Sequence, residues 1–201
     1  MNEVRRIPRQ ELPVILSGSR SPIWWGMVIL VIIESTVFAT LISSYFYIRV
    51  NSPAWPPGGL PNPDLLLPII NTIVLFCSSM AVLWGMAGLK KNDLRRLKIG
   101  IGAGIALEII FFIIKIMMGT GGPFDWSTNA YGSIFFTINW LHTGHVLVAI
   151  LMASVAEMLA FRGYFDRERK LGVQVVNIYW QFVAVVWIPV FIVLFLTPRW
   201  Y

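Results

Sequence analysis

The chain has 201 residues, of which 57% are hydrophobic, and its mean hydropathy is +0.71. Ordinary soluble domains have an apolar share of roughly 45–50%, so this composition excludes a water-soluble fold. The 16 Lys and Arg outnumber the 10 Asp and Glu, but the basic residues cluster at the ends of apolar runs, which indicates membrane topology rather than nucleic-acid binding.

The amino-terminal segment is polar through Ser21. It has no charged region followed by a short apolar core and a small-residue cleavage site, so we expect no cleavable signal peptide and expect the first span to direct insertion. The single cysteine, Cys77, lies in an apolar run and has no internal disulfide partner. A thiol in such a place usually behaves as a small buried hydrophobe.

Five apolar segments are long enough to cross a hydrocarbon core about 30 Å thick, which takes roughly 20 helical residues. They lie near residues 24–48, 65–89, 98–118, 132–160 and 174–196. The fourth exceeds the required length, so we expect its ends to project or the helix to tilt. The sequence therefore predicts one all-α transmembrane unit over residues 1–201, with five helices and an irregular Pro- and Gly-rich loop at 51–63.

The basic residues predict the direction of insertion, because cytoplasmic loops retain Lys and Arg. The amino-terminal tail, the second-to-third connection and the fourth-to-fifth connection together carry 13 of the 16 basic residues. The opposite side has Arg49 and Arg199, and Lys115 lies within a span. We therefore expect a cytoplasmic amino terminus and an external carboxyl terminus.

Glu34 lies about ten residues into the first span, where an ionised carboxylate costs at least a few kcal/mol. It must be protonated, hydrogen-bonded, or turned toward protein or water. Two interpretations stay open: a proton-linked or gating carboxyl, and a structural acid that holds helices together.

Glu108 and Lys115 both fall in the third span, seven positions apart. They share a helix face but are separated by about 10 Å of helical rise, which disfavours a direct ion pair. We expect Glu108 to face a neighbouring helix or a partner subunit. Lys115 is nearer the outer end, and we expect it to reach the lipid headgroups.

His142 and His145 are the only histidines, and they lie three apart on one face of the fourth span. Imidazole pairs at helical spacing are able to share a metal ion, but no neighbouring Cys or carboxylate completes a ligand set. Haem with two histidine ligands needs them on opposite faces of its ring, which adjacent positions of one helix do not supply. We therefore predict hydrogen-bonded structural histidines, and no metal, haem or copper centre built by this chain alone.

Four stretches, in order along the chain, combine into a more specific pattern. They are Glu34, Phe38 and residues 44–47 (SYFY) in the first span; residues 55–57 (WPP) and 67–72 (LPIINT); residues 142–146 (HTGHV); and residues 179–187 (YWQFVAVVW) in the last span. Together they resemble subunit III of the haem-copper oxidases, the family of cytochrome c oxidase and its quinol-oxidising relatives.

This resemblance implies an accessory subunit of a terminal oxidase that reduces O2 to water in the bacterial cytoplasmic membrane. Such a subunit would flank subunit I, stabilise it, hold phospholipid and support proton uptake, while haem and copper stay in partner subunits. Glu34 matches the intramembrane carboxyl of the family that reacts with hydrophobic carbodiimides, and His142 and His145 match its paired positions. We expect Glu34 to contact the histidine helix, since either group is costly to leave unpaired. Candidate lipid contacts are Arg49, Trp55, Lys115 and Arg162.

The chain also departs from the family pattern. The terminal signature usually carries His and Asp where this chain has Gln181 and Ala184, so a titratable pair is absent there. Lys115 occupies a position where a neutral amide is expected. The mitochondrial form has two further amino-terminal spans, and the first span here matches its third.

Three other functions remain as alternatives. An accessory protein of nitric oxide reduction has a similar length and number of spans. A small proton-coupled transporter would use Glu34, Glu108 and Lys115 along a pathway, but the sequence has no inverted repeat or pair of broken helices. A free-standing haem protein is disfavoured by the number of histidines.

Overall fold

The computed structural model describes residues 21–91, 93–120, 124–165 and 169–200. Within these ranges the chain forms five long helices and no strand: α1 (Pro22–Val50), α2 (Leu66–Lys90), α3 (Leu94–Thr120), α4 (Ala130–Phe161) and α5 (Leu171–Phe191). All five are long and apolar enough to cross a membrane. The predicted all-α fold with five membrane-spanning helices is confirmed.

The helices α3 and α5 begin earlier than the apolar segments predict, α3 with charged residues and α5 with residues 171–173 (LGV). α3 begins at Leu94, ahead of the predicted residue 98, and its first turns include Arg95 and Arg96. α5 likewise begins at Leu171 rather than at 174. Hydropathy marks the part of a helix that lies in lipid, and charged first turns carry no such signal.

Side-chain caps define the starts of two helices. Ser21 caps α1 by accepting a hydrogen bond from the Trp24 amide at 3.4 Å, and Pro22 follows at the first helical position, where its missing N–H costs nothing. Asn129 caps α4 by accepting from the Gly132 amide at 2.9 Å. Ahead of this cap, hydrogen bonds from the Ser127 hydroxyl and amide hold the pKa of the exposed Asp125 carboxyl below its usual value.

The loop between α1 and α2 is irregular, as its prolines and glycines predict. It contains one short 3₁₀ turn, Pro57–Gly59, in which Gly58 and Gly59 have φ angles of +73° and +70°. Residues with a Cβ rarely adopt this left-handed conformation, so glycine is required for the turn.

The end of α5 departs from regular α-helix. Pro189 lies inside the helix, and the chain continues as a π-helical segment, Ile192–Leu196, and a 3₁₀ turn, Thr197–Arg199. Proline removes a backbone donor and distorts the helix around it. Thr197 then meets α1, where its hydroxyl lies 2.9 Å from the Tyr45 hydroxyl.

The helices pack in three groups. α2 and α3 pack closely against each other, α4 and α5 form the middle, and α1 packs on α4 and α5. The best apolar window of α5 is 56% buried, whereas that of α1 is 11% buried. α1 is therefore the most exposed span, with isoleucines 23, 29, 32 and 33 on its surface.

Close contact between α2 and α3 depends on two glycines. A Cβ on Gly100 would lie 2.4 Å from the Cα of Gly85 and 2.7 Å from the Ala81 carbonyl oxygen. Small residues allow such backbone contact between membrane helices. Gly100, near the start of α3, therefore allows close packing of the two helices.

The direction in which the bundle crosses the membrane stays a prediction from the basic residues. Several of these, Arg5, Arg6, Arg9, Arg20 and Arg167, lie outside the described residues. We expect a cysteine placed at residue 62 to react with an impermeant maleimide added from outside the cell.

Candidate functional site

Glu34 of α1 and His145 of α4 form an ion pair or hydrogen bond within the bundle. The Glu34 Oε2 and His145 Nε2 atoms are 3.1 Å apart. The imidazole is 10% exposed and the carboxyl is 28% exposed. The expected contact between Glu34 and the histidine helix is confirmed, while a proton-linked role for the pair stays a prediction.

The contact of His145 Nδ1 determines how many protons the Glu34–His145 pair holds. His145 Nδ1 lies 2.8 Å from the backbone carbonyl oxygen of Leu141. A carbonyl only accepts, so Nδ1 carries a proton. The contact between Nε2 and Glu34 then contains one proton, either as a carboxylic acid facing a neutral imidazole or as a carboxylate facing an imidazolium. In both forms the pair has no net charge.

Aromatic rings surround the imidazole of His145. Phe38, one turn after Glu34 on α1, packs edge-on with ring centroids 5.1 Å apart. Tyr179 of α5 lies nearly parallel to the imidazole at 6.4 Å, and Phe182 lies at 6.3 Å. These contacts hold the ring toward α1, which orients Nε2 toward the carboxyl.

His142 lies on the same side of α4 but contacts a different helix. Its Nε2 donates to the Val183 carbonyl oxygen of α5 at 3.1 Å, and its ring packs 4.7 Å from Trp187. The side chain is fully buried. A buried imidazole held to a backbone carbonyl fits the structural role predicted for it.

The two histidines do not combine into a ligand set. His142 Nε2 bonds to Val183, and both nitrogens of His145 have partners in Leu141 and Glu34. Across the described ranges, no three His, Cys, Asp or Glu side chains lie close enough to hold one metal ion.

Glu108 is buried between helices. Its Oε2 accepts a hydrogen bond from the Ser78 hydroxyl of α2 at 2.7 Å, and the residue is 1% exposed. The acid therefore faces a neighbouring helix, which is one of the two environments expected for it.

The expectation that Lys115 reaches the lipid headgroups is wrong. The side chain is 1% exposed, donates to the side-chain oxygen of Asn139 on α4, and places Nζ 4.1 Å from the ring centroid of Trp187. An amide acceptor and an aromatic face stabilise the ammonium inside the protein. α3 therefore turns Lys115 toward α4 and α5 instead of toward lipid.

The other candidate lipid contacts occupy the helix ends. Arg162 is exposed at the end of α4, and Arg49 is half-buried in the last turn of α1. Trp55, also half-buried, donates from Nε1 to the Tyr45 hydroxyl at 2.9 Å. Their contact with lipid stays a prediction.

Sequence reasoning missed two features of the site. One is the hydrogen bond from His145 Nδ1 to the Leu141 carbonyl oxygen, which places a proton on Nδ1. Every residue has a backbone carbonyl, so the amino-acid sequence does not indicate this bond. The other is the pairing of Lys115 with Asn139, although an amide in an apolar span was a signal that a polar partner faces it.

Comparison with known proteins supports the family that the motifs indicate. The family model described as cytochrome c oxidase subunit III matches residues 17–199. Cytochrome c oxidase subunit 3 of Synechocystis is 34% identical over 86% of this chain and 74% of its own length. The proteins of the same name from Thermostichus vulcanus and Drosophila melanogaster are 29% and 28% identical, over 87% and 85% of this chain and 87% and 68% of their own lengths. The chain therefore belongs to the cytochrome c oxidase subunit III family, the accessory subunits of haem-copper oxidases.

Proposed function

We propose that this accessory subunit packs beside subunit I of a terminal oxidase that reduces O2 to water, in the cytoplasmic membrane of a bacterium. Its family supports assembly into an oxidase complex. The low burial of α1 favours a protein or lipid neighbour on that side of the bundle. Haem and copper would belong to the partner subunits.

A proposed role in proton uptake rests on the 3.1 Å contact between Glu34 and His145, from which we infer a single shared proton. The pair accepts or releases a proton only by changing its net charge, which costs free energy in a site of low polarity. The 28% exposed carboxyl leaves a side on which water or a partner's polar group stabilises that change. We infer that the pair holds a proton between turnovers and supports its delivery to the neighbouring catalytic subunit.

Bound phospholipid is the other contribution that we propose. Arg49 and Arg162 lie at opposite ends of the bundle, at the ends of α1 and α4. Guanidinium groups bind phosphate with paired hydrogen bonds, and tryptophan favours the membrane interface. Arg49 and Trp55 would contact lipid at one interface and Arg162 at the other.

Purification of the tagged chain in mild detergent tests this function. We expect it to bring along a larger membrane subunit that carries haem and copper, detected by absorption and metal analysis. An unrelated membrane protein with the same tag is the control. Recovery of the chain alone as a colourless homo-oligomer would contradict assembly with an oxidase.

A further inference from the structure

A second buried carboxyl lies away from the Glu34–His145 pair. Glu108 sits between α2 and α3, whereas the pair lies between α1 and α4. Among the described residues, no Lys, Arg or His nitrogen lies within 4.0 Å of Glu108. A carboxyl that is 1% exposed and has no cation beside it costs much less free energy to bury as the neutral acid than as the carboxylate.

Contacts between α3 and α5 place Glu108 at a defined level of the bundle. One turn before it, a Cβ on Gly104 would lie 3.5 Å from the indole of Trp180. One turn after it, the rings of Phe111 and Trp187 are 5.6 Å apart. Glu108 therefore lies at the same depth in the bundle as Ala184 of α5. The side chain of Ala184 is a methyl group, which has no polar atom to offer the carboxyl.

A cavity of about 730 Å³ opens at the end of the bundle where α1 and α5 begin and α2 ends. This volume has room for on the order of 20 water molecules. Apolar side chains of α2 form one wall, and the opposite wall carries Lys170, which directly precedes α5, and Gln174 and Asn177 of α5. These positions follow helical spacing, so one polar stripe runs inward from the mouth.

Hydrogen bonds continue this stripe beyond the cavity. Gln181, one turn further along α5, donates to the Asn177 side-chain oxygen at 3.4 Å. It also accepts from the hydroxyl of Ser79 and donates to the Ser79 carbonyl oxygen at 3.4 Å. The polar path therefore crosses from α5 to α2 at Ser79.

The last step joins neighbouring residues of α2. Ser78 directly precedes Ser79, so their Cα atoms are about 3.8 Å apart, and the Ser78 hydroxyl already bonds to Glu108 at 2.7 Å. The indole of Trp180 and the Ser78 carbonyl oxygen each lie 3.5 Å from a Cβ placed on Gly104, and the Trp180 Nε1 donor is buried and makes no hydrogen bond within the described residues. One water molecule between the two hydroxyls would complete the path and satisfy a donor of this kind.

We propose that Glu108 is a proton-exchanging site that takes protons from water in this cavity, through Asn177, Gln181, Ser79 and Ser78. The amides order water along the path. Each hydroxyl accepts a proton on one side and releases its own on the other. It then rotates about its Cβ–Oγ bond, which returns the path to its starting state. This site is independent of Glu34, and it adds a second place where the subunit holds a proton.

Infrared spectroscopy of the purified oxidase complex tests the proposal. The difference between wild type and Glu108→Gln isolates the carboxylic-acid C=O band of Glu108, and transfer to D2O shifts that band as the proton exchanges. We expect the band at neutral pH, rapid exchange in the wild type, and roughly tenfold slower exchange in Gln181→Leu and Ser79→Ala. Each path variant is compared with the same variant that also carries Glu108→Gln.

Ser154→Ala is the matched control, because this hydroxyl donates within its own helix, to the Ile150 carbonyl oxygen at 2.7 Å. Haem absorption of each complex checks its assembly. The proposal is overturned if Glu108→Gln removes no acid band, if the wild-type band does not exchange, or if both path variants exchange as fast as wild type. None of these results depends on whether Glu34 supports turnover.

Discussion

At the residue scale, the position of α1 decides which histidine pairs with the Glu34 carboxyl. His142 and His145 share a face of α4, but α1 lies beside His145 while α5 offers a backbone carbonyl to His142. The sequence predicted a contact between Glu34 and this helix from the cost of an unpaired carboxyl. It did not distinguish the two histidines, because that choice depends on helix packing.

Lys115 shows where sequence reasoning fails. Its place near the end of an apolar span is typical of a side chain that reaches the interface. Asn139, 24 positions later, becomes its partner because α3 and α4 pack with both residues inward. Hydropathy gives the depth of a residue but not the direction in which its helix is rotated.

This pairing predicts an asymmetry between two substitutions. Asn139→Leu leaves a buried ammonium without its oxygen acceptor, so we expect the free energy of unfolding to fall by about 2 kcal/mol. In the double variant Lys115→Met/Asn139→Leu both polar groups are gone, and we expect stability within about 1 kcal/mol of wild type or above it. Titration with SDS in mixed micelles, followed by circular dichroism, measures both.

The Lys115→Met single variant completes the double-mutant cycle. If the double variant is as unstable as Asn139→Leu alone, Asn139 acts through packing and its bond to Lys115 has no net effect.

At the scale of the helices, the apolar segments predicted all five spans, since length and hydropathy are local properties. The contacts among them are not local. The backbone contact of Gly85 with Gly100, across α2 and α3, appears only in the fold. The π-helical turn after Pro189 also had no signal beyond the proline itself.

Gly100→Ala tests the contact between α2 and α3. The new methyl would meet backbone atoms of Gly85 and Ala81 at 2.4 and 2.7 Å, which cannot move without shifting α2. We expect a loss of about 1–3 kcal/mol in the free energy of unfolding.

Gly144→Ala is the control, because no atom of another described element lies within 4 Å of its Cβ position. It should change stability by less than about 1 kcal/mol, in the stabilising direction expected of Ala in a helix. Equal effects of the two substitutions would mean that α2 and α3 do not rely on backbone contact.

At the scale of the whole molecule, the bundle places its polar groups in separate interfaces. Glu34 and His145 join α1 to α4, Lys115 and Asn139 join α3 to α4, and Glu108 joins α3 to α2. Family membership could be predicted from four short motifs, because their residues fall in the right order on the right spans. Of Glu34 and Glu108, Glu34 is the carboxyl that is partly exposed, and it lies on the helix with the lowest burial.

Sustained turnover of the oxidase complex with Glu34→Gln tests the central claim most directly. Glutamine keeps a donor for His145 Nε2 but holds no exchangeable acid proton. We expect normal assembly and a normal initial rate, followed by faster loss of activity over many turnovers. Ser35→Ala is the control, because the Ser35 hydroxyl bonds to its own helix at Val31. If Glu34→Gln stays as active as wild type throughout a long assay, Glu34 is a structural acid and the proposed role in proton uptake is wrong.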